Sequence, residues 1–130
     1  MANIGQTVVI RTDLFDLTKD MGLITAQVAH IHAQSCFQLL RDGVKPNEGL
    51  SAWLEEPYLY VKRVDSYEAF EYIRNYALNE SGISVNVWYD TVYVRITPTQ
   101  QKAIKAPVGL SLGPDDSDAI RRVVGDLPLL

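Results

Sequence analysis

Apolar residues recur along the chain with two different periods, and the changes between them predict a succession of strands and helices. Thr7-Val-Val-Ile-Arg-Thr12 is a short β-branched run that reads as a buried strand. A polar stretch follows from Asp13 to Asp20. A helical pattern then runs from about Leu23 to Leu40, with Ile24, Val28 and Ile31 on one face and Gln27, Gln34 and Gln38 on another. Turn formers occupy Arg41 to Gly49, a short helical piece over Leu50–Leu54 carries Trp53, and Tyr58–Lys62 reads as the second strand. Asp65-Ser-Tyr-Glu68 has the spacing of a capping box with Asp65 as the cap. The helix it opens is expected to bury Phe70, Ile73 and Ala77, to reach about Asn79, and to stop at Ser81-Gly82. Ser84–Ile96 is a long strand signal with room for a bend at Asp90, Thr97–Ala106 reads as a loop, and Val108–Leu112 as a fourth strand. Beyond Gly113-Pro114, the residues Ile120, Val123, Val124 and Leu127 recur at i, i+3, i+4 and i+7 and predict a last helix.

The order β-α-β-α-β-β-α predicts an α/β fold in which helices pack on one mixed four-stranded sheet. Each β-α-β crossover is expected to give a parallel strand pair, and the step from the third to the fourth strand an antiparallel one. With 130 residues, 47% of them hydrophobic, the chain is expected to form a single domain over residues 1–130 that needs no covalent staple. The spread of aliphatic and aromatic residues excludes intrinsic disorder, and no stretch approaches the roughly 20 apolar residues of a membrane helix. The N-terminal residues carry no signal-peptide pattern, so a cytoplasmic location is expected. Cys36 is the only cysteine, which excludes an internal disulfide and a cysteine-based metal cluster. Twelve basic against 16 acidic residues leave a net charge of −4, which gives little general support for nucleic-acid binding. The local basic candidates are Lys62–Arg63 and the Lys102/Lys105 pair, each with a solvated strand end or loop as the alternative.

Few residues stand out chemically. His30 and His32, two apart on a helix, point to nearly opposite sides and cannot share a metal, so no metal site is expected. No dinucleotide, phosphate-loop or nucleophile-elbow motif is present. Arg11 and Asp13 leave the first strand two residues apart, either as a surface ion pair or as part of a pocket. Gln27 and His30 share a helix face at i, i+3, either as satisfied buried residues or as ligand contacts. Asp90 interrupts an apolar and aromatic strand, which sets it either at a bend facing solvent or in a cleft with a raised pKa.

Two stretches carry a resemblance. Val9-Ile-Arg-Thr-Asp-Leu14 followed by Met21-Gly-Leu-Ile-Thr-Ala-Gln-Val-Ala-His30 resembles the opening of the second type of peptidyl-tRNA hydrolase, a strand ending in R-x-D-L and then M-G-x-G-K-x-A-A-Q-x-x-H. Gly109-Leu-Ser-Leu-Gly-Pro114 and the closing Val-Val-Gly-Asp-Leu-Pro-Leu-Leu130 are similar to that family's G-I-G-P strand end and V-x-G-x-L-x-L-L tail. Trp53 matches a tryptophan before the second strand, and Asp90, Ile96 and Pro98 match positions of D-A-G-R-T-Q-I-A-P. The resemblance implies a three-layer α-β-α fold, a homodimer, tRNA as partner, and cofactor-free hydrolysis of the ester that joins peptide to tRNA. It implies Asp90 as a catalytic residue, with Arg11, Asp13, Gln27 and His30 shaping the substrate pocket. Leu23 stands where the family has its lysine, Val94 where it has its threonine, and Tyr93 where it has the preceding arginine. Neither Leu nor Val can donate a hydrogen bond or carry positive charge. Lys19, in a loop about three residues longer than the family's, is the candidate replacement cation, with Thr25, Thr91 or Thr97 as the hydroxyl. Two readings therefore stand: a divergent hydrolase, or a relative that kept the scaffold as a binding or homo-oligomeric domain.

Overall fold

The computed structural model describes residues 3–43 and 48–130. In chain order the elements are β1 (Ile4–Arg11), α1 (Met21–Arg41), α2 (Glu48–Glu55), β2 (Tyr60–Val64), α3 (Tyr67–Tyr76), β3 (Val85–Thr97), β4 (Gln100–Asp116) and α4 (Ser117–Val124). The four strands form one mixed sheet in the order β2-β1-β4-β3, in which β1 and β2 are parallel and the other neighbours antiparallel. Helices cover both faces, as the α/β reading expects. On one face Val8 and Ile10 of β1 meet Ile24 and Ile31 of α1. On the other, Val9, Leu110 and Leu112 pack with Phe70, Ile73 and Ala77 and with Ile120 and Val124 of α4. The period-2 alternation of β1 thus divides its side chains between two cores.

Several local expectations are corrected by packing. Residues 97–106, expected as a loop, are largely strand: β4 begins at Gln100 and pairs with β3 from Thr97 back to Val85. Lys102, Ala103 and Lys105 have little strand propensity of their own, and the ladder exists because β3 supplies partners such as Val92 opposite Ile104. The β2–β3 pair expected from the second crossover does not form, since β1 and β4 lie between those strands. The chain extends past the expected strand end at Leu112, and β2 is shifted to start at Tyr60. The expected turn over 41–49 falls partly on residues 44–47, outside the described residues; Asp42 and Gly43 do turn, and Gly49 is already helical.

The cap of α3 is Ser66, not Asp65. Ser66 Oγ accepts from the Ala69 amide at 3.1 Å, whereas Asp65 accepts from the Thr12 hydroxyl at 2.6 Å and so ties β2 to the end of β1. Regular α-helix ends at Tyr76, a π-type turn carries the chain to Ser81, and Gly82, at φ 69°, closes it. Removal of the cap by Ser66→Ala is expected to destabilise the protein by about 1 kcal/mol. Chemical denaturation checks this, and an unchanged midpoint would exclude the cap.

A carboxylate shelf between the first helix and the edge strand

Gln27 lies on the sheet-facing side of α1 with only 9% of its surface exposed. At that depth its amide must be satisfied. Its Oε1 accepts from Trp88 Nε1 at 2.8 Å and its Nε2 donates to Asp90 Oδ2 at 2.8 Å. Trp88 and Asp90 are two apart on β3, hence on one face of the strand. The other carboxylate oxygen of Asp90 accepts from the Thr91 amide at 2.7 Å. His30, one turn beyond Gln27, stacks on the Trp88 ring at 5.4 Å and 14°. A line of groups results, in which tryptophan holds glutamine and glutamine holds the carboxylate.

The direction of that line is fixed by chemistry. An indole N–H can only donate, so Gln27 must accept with its oxygen and donate with its nitrogen, and residue 90 must accept. The hydrogen bond from Gln27 is the main cause holding the Asp90 carboxyl below its ordinary value. The Thr91 amide and the charges of His30 and Lys105 act the same way, and burial opposes them. Neither alternative foreseen for Asp90 holds in full: it faces α1 rather than open solvent, and its pKa is lowered, not raised. It is an anion throughout the neutral range, able to accept a hydrogen bond from water and unable to serve there as an acid.

Arg11 and Asp13 form a separate cluster. Arg11, 6% exposed, donates to both oxygens of Asp13 at 3.2 and 2.7 Å and to the Pro107 carbonyl at 3.1 Å, and lies over the Tyr67 ring at 5.0 Å. It shares the side of β1 with Val9, facing α3, whereas Gln27 and Asp90 lie on the α1 side. The ion pair therefore joins a buried guanidinium to a carboxylate at the surface, and it is not part of the Asp90 shelf. Lys19 sits on the exposed loop before α1, where its charge acts on Asp16, a carboxylate held low chiefly by the Thr18 hydroxyl. The lysine whose charge reaches Asp90 is Lys105, which pairs with Thr91 in the ladder. Of the candidate hydroxyls, Thr25 donates to the Met21 carbonyl and Thr97 accepts from the Thr99 amide. Leu23 and Val94 are both exposed.

Sequence reasoning missed two participants. Trp88 was legible only as an apolar strand residue, although its position two before Asp90 placed it on the same side. Lys105 falls in the segment expected as a loop, and the ladder pairs it with Thr91, the residue after Asp90, from where its charge lowers the Asp90 pKa. A second polar cluster was also missed: buried Gln6 donates to Ser111 at 2.8 Å and also contacts Ser35 and His32. His30 and His32 thus turn to different partners. Among the described residues no group of three or more His, Cys, Asp or Glu could hold a metal ion.

Two concavities, of about 350 and 430 Å³, lie on the opposite side of the sheet, against α4, and neither is lined by Gln27, His30 or Asp90. With His30, Tyr89 and Thr91 exposed around it, the Asp90 site is an open shelf, which suits a reacting group presented by a large substrate. Beside it the β3–β4 ribbon is locally basic. Residues 91–114 include Arg95, Lys102 and Lys105 and no Asp or Glu.

Fold and site together define an α/β protein with an ionised carboxylate displayed on an open shelf at the base of a cationic ribbon. The chain belongs to the peptidyl-tRNA hydrolase PTH2 family, whose model matches residues 4–130. Membership makes the protein peptidyl-tRNA hydrolase-like, with tRNA as the implied substrate class. No curated protein matches the chain. Among the described residues, no helix is long and apolar enough to cross a membrane.

Proposed function

We propose that the protein is a divergent peptidyl-tRNA hydrolase that cleaves the ester between a peptide, or an N-blocked amino acid, and tRNA. The observation that carries this reading is the Asp90 carboxylate, kept ionised by Gln27 and the Thr91 amide on an open shelf. Ester hydrolysis needs a water held against the carbonyl and a positive or donor group where negative charge collects on oxygen. Asp90 orients the water, and Gln27, His30 and Trp88 fix its position. Lys105 supplies positive charge nearby and, with Arg95 and Lys102, meets tRNA phosphates despite the acidic whole. Tyr89 and Tyr93, exposed on the same ribbon, offer stacking surfaces. Arg11, held by Asp13, acts by tying the end of β1 to the middle of β4 at Pro107. The reading extends to a single domain over residues 1–130 that works in the cytoplasm as a homodimer and uses no cofactor.

The test is release of peptide from N-acetyl-aminoacyl-tRNA at low salt. Absence of turnover from folded protein would leave the second reading, a scaffold without its family's chemistry, which Leu23 and Val94 favour. Two lysines compete for the missing cation. Lys105→Ala is expected to lower kcat by at least about 10-fold, short of the 10²–10³ of an enclosed donor because water screens the site. Lys19→Ala is expected to leave kcat unchanged, and the opposite ranking would return the role to Lys19.

A further inference from the structure

β3 is an outermost strand of the sheet, and among the described residues nothing pairs with it on the side away from β4. Two contacts fix which backbone groups that outer edge presents. Pro107, opposite Tyr89 in the ladder, gives its carbonyl to Arg11 of β1 at 3.1 Å. The N and C=O of a strand residue point to one side, so Pro107 faces β1 and Tyr89 turns its own amide and carbonyl outward. Two residues on, the Thr91 amide donates to the Asp90 carboxylate at 2.7 Å, as an outward amide can. Outward groups alternate along an antiparallel strand, and the ladder is regular from Tyr89 to Arg95, so Tyr93 and Arg95 continue the series.

This edge is unprotected. Edge strands are normally blunted by proline, lysine, a bulge or a covering segment. β3 contains neither proline nor lysine, and every residue from Tyr93 to Thr97 is exposed, whereas residues 85–88 are half-buried. An extended chain added to the sheet therefore has room from Thr91 to Arg95, about 13 Å, the length of roughly four residues.

The edge also begins at the reacting centre. Because Asp90 accepts from the Thr91 amide, the carboxylate that orients water lies on the line of the edge itself. In a peptidyl ester the peptide is joined through the carbonyl that water attacks, so it must leave along a surface that starts within a residue of Asp90. Such peptides share no side-chain sequence. What they share is a backbone, and strand addition is the mode of recognition that reads backbone alone. Lys102 and Lys105 lie on β4, one strand inward, and leave the edge to the peptide.

We propose that the outer edge of β3 from Thr91 to Arg95 is the acyl subsite, where the peptide of the substrate is bound as an added strand. The proposal rests on the hydrolase reading and adds to it how the peptide is held. The experiment compares release from N-acetyl-alanyl-tRNA and from acetyl-tetraalanyl-tRNA. The longer acyl chain is expected to lower KM by about 10-fold, the effect of one or two net backbone hydrogen bonds. It should change kcat by less than about threefold, because these contacts hold substrate and transition state alike. Single N-methylation along the tetrapeptide should abolish the gain at alternate residues only, since every second amide faces the edge. Tyr93→Ala and Tyr93→Pro both remove the ring, and only the second removes the outward amide, a change that an edge strand tolerates. The length effect is expected to survive in the alanine variant and to vanish in the proline variant. The methylation series uses the wild-type protein, so it decides the matter even where the proline variant fails to fold. A KM indifferent to length, methyl effects without alternation, or a length effect equal in the two variants would overturn the edge and leave the hydrolase standing. Occupation of the edge by a second copy would show as the first of these. Release from neither tRNA would overturn the hydrolase reading and the subsite together.

Discussion

Asp90→Asn is expected to lower the release of peptide from N-acetyl-aminoacyl-tRNA by about 10²–10⁴-fold, the range that a positioned acid–base group contributes, with the fold intact. Asparagine keeps the shape of the side chain and removes one acceptor oxygen and the charge. The environment cannot compensate. Two donors converge on residue 90, one from Gln27 and one from the Thr91 amide. Gln27 cannot turn its amide over to offer its oxygen, because that oxygen accepts from Trp88, which can only donate. One donor must therefore face an NH₂ group, and the water that the carboxylate orients loses its strongest acceptor. The pH dependence follows with the same sign. A carboxylate whose pKa is lowered is fully charged above its ordinary value, so activity on this account is lost only as pH falls through the lowered pKa. The Asp90-dependent activity is accordingly flat from about pH 5 to 8. Kinetics on the two proteins across that range decide the matter, and turnover in the variant within about threefold of wild type would remove Asp90 from the reaction.

Gly109→Ala is the substitution expected to cost most in stability, about 3 kcal/mol, at the upper end of what an overpacked interior loses. Gly109 lies in the central strand β4 between Ile10 and Trp88, beneath α1. A methyl there would stand 2.6 Å from the Val9 carbonyl oxygen, 2.9 Å from Ile31 Cδ1 and 3.0 Å from Ile10 Cδ1. The two isoleucine ends can shift, but the carbonyl belongs to the neighbouring strand. Relief requires β1 and β4 to part or α1 to lift, and α1 carries Gln27. Out of a typical total of 5–15 kcal/mol, such a loss should show as a clear fall in the denaturant midpoint with little change in slope. Gly22→Ala is the matched comparison, since nothing lies within 4 Å of the added carbon and the position is helical. It should leave stability level or raise it by up to about 1 kcal/mol. Equal effects at the two glycines would show that the contact under Ile31 yields easily.

Periodicity and short motifs encode one part of this protein locally. The order of elements, the burial of Val9, Phe70, Ile73 and Ile120, and the shared side of Gln27 and His30 follow from spacing within single segments. The motifs around Arg11, Gln27 and Gly109 carried the family, and Asp90 stood out as a charge within an apolar strand. Tertiary structure alone decided what those residues meet. Gln27 and Asp90 are 63 positions apart in sequence, and no local pattern states that one strand's register will put Trp88 on the glutamine oxygen and the carboxylate on its nitrogen. The same holds for Lys105, whose segment has weak strand propensity and becomes ordered by pairing with β3. Arg11 was placed with Asp90 by motif and set apart by the pleat, since alternate residues of β1 go to opposite faces. Ser66 displaced Asp65 as a helix cap because Thr12, from a distant segment, takes the aspartate. Local spacing says which way a side chain points along its own element, whereas strand order and register, set by the packing of the whole chain, say what stands opposite it.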